Sequence, residues 1–278
     1  MVHLRSEIFE IDTQQGIAQL FHKTIESQGK PVLLIHGFGS TMDIWFKYSD
    51  SIGNYFVEHD LDVWALELSD AITGNIEVLA HEDLLASLHY IHEKQRKKVW
   101  IISHSMGGII SRYLVSSNIS HPYPLKKITK MINGVTLLAT PNHGVGSSKG
   151  DGILDLFRHI NNFFLSQKEI DSDINIAFLQ LTKSSKLIQK LNNGKFILHP
   201  SIRWQNGYGL YDKLIPIENA EFREDELDPQ IYLNQKEFPV DHMVYPFVDI
   251  IKYFEKVFPA IHRYKPVAEW ILTDITNC

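Results

Sequence analysis

The 278-residue chain is 44% hydrophobic and 22% charged, with a formal net charge of −6 and no run of five or six like charges. That composition is ample for a large core, and since phosphate binding needs a basic face, the net negative charge and the lack of like-charge runs make nucleic acid an unexpected partner. The single cysteine, Cys278, excludes an intrachain disulfide and a cysteine metal site.

No stretch of 18 apolar residues occurs, so no integral membrane segment is expected. "MVHLRSEIFEID" lacks the apolar core of a leader peptide, and a cytoplasmic location is the expectation. The sequence leaves the oligomeric state open.

Residues 3–22 suggest an antiparallel hairpin turning near Gly16. "PVLLIHGF", from Pro31, is a short continuous apolar run, the pattern of a strand buried on both faces of a parallel sheet. "SIGNYFVEH" reads as helix and "LDVWALEL" as a second buried strand. Ile76, Leu79, Leu84, Leu88 and Ile91 fall at helical spacing between Asn75 and Lys94. "KVWIIS" is a third strand with a helix from Met106, and "MINGVTLLAT" a fourth, closed by Pro141. Strands alternating with helices predict an α/β fold, a mostly parallel sheet with helices on both faces.

The alternation then stops. "GILDLFRHINNFFL" places Ile153, Leu156, Phe157, Ile160, Phe163 and Phe164 on one helical face, and "NIAFLQLTKSSKLIQKLNNG" reads as a second helix. "KFILHPSIRWQNG", "QIYLNQ" and the helical "VYPFVDIIKYFEKVF" resume the pattern. The organisation expected is a single domain over 1–278, with 144–194 a helical cap insertion.

The chemistry is concentrated at the ends of these strands. In "SHSMGG" a strand turns sharply into a helix at Ser105. Such a turn exposes a hydroxyl and needs small residues two positions either side, here Ser103 and Gly107. Serine becomes a nucleophile only beside a base. His242, in "FPVDHMVYP", follows the last strand and is the candidate base. Asp212, in "NGYGLYDKLIP", is the candidate carboxylate to orient it. Asp241 is set aside because adjacent residues seldom point the same way. A tetrahedral intermediate needs two converging N–H donors: Met106, after the nucleophile, and Phe38, in the glycine loop "HGFGS".

These stretches, with "LLATPNHG" and "YDKLIP", make Pro31 to Phe258 resemble an α/β-hydrolase of the lipase/esterase type. Within that superfamily the chain is most similar to bacterial triacylglycerol lipases and related lipase-class esterases. "TPNHG" matches their Thr-Pro-His-x-Gly-like stretch with one inserted residue. Two departures stand out: Ser103 replaces the first glycine of the serine turn, and "LELSD" replaces an Arg-Gly-His-Gly-like turn.

The resemblance implies a serine esterase acting through an acyl-enzyme on Ser105. Its substrate would be a small-molecule ester or lipid with an apolar acyl or alkyl group held under the cap. An acyltransferase, thioesterase or amidase with the same triad is the alternative, followed by a non-catalytic ligand-binding scaffold. No cofactor is expected. Some relatives bind calcium or zinc, but Asp151, Asp155 and His159 at i, i+4 and i+8 read equally as a solvated helix face, so no metal is expected.

Overall fold

The computed structural model describes residues 5–13, 16–25, 29–146, 176–193, 197–212, 214–242 and 259–277. Eight strands form one sheet in the order β1-β2-β4-β3-β5-β6-β7-β8. They are β1 (Arg5–Thr13), β2 (Gly16–Thr24), β3 (Pro31–Ile35), β4 (Asp62–Glu67), β5 (Val99–His104), β6 (Ile132–Leu138), β7 (Arg203–Gly209) and β8 (Leu233–Phe238). β2 runs antiparallel to both its neighbours, and β4, β3, β5, β6, β7 and β8 are mutually parallel.

The continuous apolar runs are explained by burial on both faces. Leu33 and Ile35 of β3 and Ile101 of β5 enter one core; Val32, Leu34, Trp100 and Ile102 enter the other. Side chains alternate across a strand, so a run without alternation fits only a doubly covered sheet. The first core holds Leu85, Leu88 and Ile91 of the helix Leu85–Gln95 and Ile109, Ile110 and Leu114 of Met106–Val115. The second holds Ile52 and Phe56 of Ile52–Glu58 and Val267, Ala268 and Ile271 of Lys265–Thr276.

Two sequence expectations need correction. The stretch from Asn175 to Gly194 is not one helix but two, Ile176–Leu181 and Lys186–Asn192. Ser185 caps the second, its side chain accepting from Ile188 N–H at 3.1 Å, while Thr182 leaves the helix to bridge Val145. The strand expected near Phe196 begins only at Arg203, because Pro200 lies in a turn closed by Ile202 N–H to His199 O at 3.2 Å.

The expected helices over 152–165 and 244–258 lie outside the described residues, as does most of the 144–194 insertion. Among the described residues no helix is long and apolar enough to cross a membrane.

Candidate active site

Every predicted site residue described here gathers at the C-terminal edge of the parallel strands, where open α/β sheets hold their ligands. β5 ends at His104, and Ser105 turns the chain at φ 54°, ψ −123° before the helix Met106–Val115 begins. A non-glycine residue in that region carries strain, of the order of 1–3 kcal/mol. It is over-determined by its surroundings: Ser105 N–H donates to Leu138 O and Gly108 N–H to Ser105 O, both at 2.9 Å.

The small residues beside the turn are required by packing. A Cβ on Gly107 would lie 2.5 Å from His36 O, and one on Gly108 would collide with the Thr140 side chain. Ser103 is fully buried, its hydroxyl bonded to Ser111 Oγ at 2.7 Å, and Ser111 Oγ also donates to Gly107 O at 3.0 Å. The serine in place of glycine thus ties β5 to the following helix.

Ser105 Oγ lies 3.0 Å from His242 Nε2, and His242 Nδ1 lies 2.9 Å from Asp212 Oδ2. The carboxylate fixes the tautomer: Nδ1–H donates to Asp212, leaving the Nε2 lone pair to face the serine hydroxyl. The other carboxylate oxygen accepts Leu214 N–H at 3.0 Å and Ile215 N–H at 2.8 Å, so Asp212 is locked to its own loop. Asp241 meets the backbone rather than the ring: its carboxylate accepts His242 N–H at 2.7 Å.

Met106 directly follows Ser105, and Phe38 follows Gly37 in the loop that approaches it. Met106 N–H opens a helix and has no acceptor within it. In the loop after β3, Gly39 N–H donates to Ala71 O and Ser40 N–H to Gly37 O, while Phe38 N–H has no acceptor among the described residues. Gly37 brings that loop close, since a Cβ there would sit 2.7 Å from Ser105 Cβ.

Three residues escaped the sequence reading. His36 is fully buried, with Nδ1 3.0 Å from Gly37 O and Nε2 accepting Leu68 N–H at 3.2 Å. Gly37 C=O and Phe38 N–H belong to one planar peptide, so anchoring the carbonyl aims the N–H the opposite way. Burial lowers the His36 pKa to about 4, so the ring stays neutral. His104 Nε2–H donates to the His242 carbonyl at 3.0 Å, and burial holds its pKa well below the usual histidine range.

Arg112, buried on the serine's helix, donates to Asn142 O and Asn192 Oδ1, both at 2.8 Å. Those acceptors lie near the two ends of the expected insertion. His36 and His104 stand inside quoted motifs, but only their partners reveal their roles; Arg112 carried no sequence signal. "LELSD" proves to brace the same loop: Glu67 accepts Met42 N–H at 2.6 Å. Among the described residues no group of three or more His, Cys, Asp or Glu could hold a metal ion. Asp151, Asp155 and His159 lie outside them.

Triacylglycerol lipase 1 of Arabidopsis thaliana is 31% identical over 101 residues, 30% of this chain and 26% of that relative. Triacylglycerol lipase 2 of Saccharomyces cerevisiae is 34% identical over 88 residues, 32% of this chain and 23% of its own. The matched region is therefore about a quarter of those curated relatives. The thermophilic carboxylesterase EstE1, from a metagenomic library, superposes with TM-score 0.57 at 15% identity, covering 91% of this chain and 86% of EstE1. That likeness is one of fold, and the fold is that of the α/β-hydrolases. A family model described as the PGAP1-like alpha/beta domain matches residues 26–191, more than half of the chain, and the chain belongs to that family.

Proposed function

We propose that this protein is a serine hydrolase that cleaves carboxylic esters through an acyl-enzyme. The observation that carries the reading is the unbroken hydrogen-bond chain from Ser105 through His242 to Asp212 at a strained strand-to-helix turn. Lipase and carboxylesterase relatives lend the same reading their support.

In the proposed reaction Ser105 Oγ attacks the ester carbonyl carbon and its proton passes to His242 Nε2. The ring becomes an imidazolium, stabilised by Asp212 through the Nδ1–H bond. Phe38 N–H and Met106 N–H receive the tetrahedral oxyanion; losing one such donor costs about 10²–10³ in rate. The intermediate collapses, the C–O bond breaks, and the alcohol leaves with the proton from Nε2. Water then attacks the acyl-enzyme, giving its proton to Nε2, and the acid departs as Ser105 is regenerated.

Exposed apolar side chains close in sequence to the candidate triad and oxyanion residues suit an apolar acyl or alkyl group. Phe38 is partly exposed beside the serine, and Leu210 and Tyr211, just before Asp212, are 43% and 38% exposed. Turnover of matched ester, thioester and amide substrates by wild type and Ser105→Ala tests the proposal. Ester cleavage should dominate and vanish in the variant. Preferential amide or thioester cleavage, or turnover surviving in Ser105→Ala, would contradict it.

A further inference from the structure

At the sheet edge opposite the candidate site, the connections leading into β5 and β6 carry an unbalanced charge. From Lys94 to Gly150 the sequence has nine lysines and arginines and no aspartate or glutamate, within a chain of net charge −6. Six of those cations, Arg96, Lys97, Lys98, Lys126, Lys127 and Lys130, are exposed on the connections leading into β5 and β6.

The two connections form one surface. β5 and β6 are parallel neighbours, and Val99 N–H donates to Met131 O at 2.8 Å. The Tyr123 ring packs 5.3 Å from His89, on the helix that leads to Arg96, and Lys127 Nζ lies 5.8 Å from the same Tyr123 ring. His92 Nδ1–H donates to Lys97 O at 2.8 Å.

Helix C-termini on such an edge attract cations, and Lys30 is used that way, its Nζ donating to Ile275 O at 2.9 Å and Thr276 O at 3.2 Å. Lys97 donates to Gly29 O at 3.2 Å, and Lys94 pairs with Glu7 at 3.9 Å. Arg96, Lys98, Lys126 and Lys130 form no ion pair with any described residue. Glu93 is the acid beside them in sequence, one residue before the acid-free span. Like charges so clustered repel one another unless an outside anion meets them.

We propose that this edge docks on an anionic phospholipid bilayer. A lipid surface is favoured because the lysines surround an exposed apolar tip: Pro122, Tyr123 and Pro124, with Tyr123 38% exposed. Aromatic rings settle at the headgroup level while ammonium groups on long stems reach the phosphates. Lys98 precedes β5 and Ser105 follows it, so six strand residues separate them, about 20 Å at ~3.3 Å each. The docked protein therefore turns its candidate site away from the lipid.

Co-sedimentation of the full chain with mixed phosphatidylserine–phosphatidylcholine vesicles, against phosphatidylcholine alone, tests this. Binding should require phosphatidylserine, weaken as salt is raised, and fall at least tenfold in Lys98→Glu/Lys126→Glu/Lys127→Glu/Lys130→Glu. That variant should hydrolyse a soluble ester as wild type does, which also reports its fold. If it does not fold, Tyr123→Ser should still halve vesicle binding or more. Ser105→Ala should bind vesicles normally, so loss of the esterase reading leaves this result standing. Equal binding to neutral vesicles, undiminished binding by a folded charge-reversal variant, or tighter binding to duplex DNA or polyglutamate than to vesicles would overturn the proposal.

Discussion

His104 Nε2–H donates across 3.0 Å to the backbone carbonyl of His242, and the two rings lie 4.6 Å apart. The residue before the candidate nucleophile thus holds the residue that carries the candidate base. His104→Leu removes that donor while keeping bulk. A displacement near 1 Å costs on the order of 10²-fold, so kcat should fall about 10- to 100-fold with KM little changed. His104→Gln, which retains a donor, should recover part of the loss. Equal kcat in wild type and His104→Leu would show the contact to be packing alone.

Asp212 and Asp241 compete for the role of orienting acid, and their partners separate them. Asp212 meets His242 Nδ1; Asp241 meets His242 N–H. Asp212→Asn should therefore lower ester turnover by orders of magnitude, about 10⁴ in the Ser-His-Asp template. Asp241→Asn should cost less than tenfold. The reverse ranking in kcat/KM would assign the acid to Asp241.

The Gly37–Phe38 peptide is held by His36 Nδ1–H at one end and crowds Ser105 at the other. Gly37→Ala would place a Cβ 2.7 Å from Ser105 Cβ, and His36→Leu would free the peptide to turn. Each should cut kcat about 10²-fold or more, the range for a lost oxyanion donor. Circular dichroism should show both variants folded; unimpaired turnover would remove Phe38 from the oxyanion site.

Acid should destabilise the protein through its buried histidines. Burial lowers His36 and His262 each to about 4 against an ordinary 6.5, and lowers His104 in the same direction. Between those values the unfolded chain binds protons that the folded chain does not, so stability falls as pH drops from 6.5 toward 4. At pH 5 each of His36 and His262 removes about 2 kcal/mol relative to neutral pH. Urea midpoints should decline steeply over this range, and His262→Gln should flatten the decline.

Much of this was legible in sequence because the central parallel strands, β3 to β6, are buried on both faces and read as largely apolar runs. Ser105 follows such a run directly, whereas Asp212 and His242 follow the more polar strands RWQNGYG and LNQKEF and are located by their place after the remaining strands in chain order. Positions fixed by contacts across the chain were not legible. Arg112 reaches Asn192, eighty residues on, and His104 reaches the carbonyl of His242; no local pattern announces either. The break between Leu181 and Lys186 was hidden because its helical periodicity continues across a Ser185 cap. Ser103 looked like a departure from the serine-turn motif until its bond to Ser111 gave the hydroxyl a structural use.

The central claim is that Ser105 is the attacking atom's residue. Fluorophosphonate labelling of wild type and Ser105→Ala, read by intact-protein mass, tests it most directly. The account predicts one covalent adduct on wild type, none on Ser105→Ala, and strongly slowed labelling of His242→Ala. An unlabelled, folded wild type, or an adduct persisting in Ser105→Ala, would contradict it.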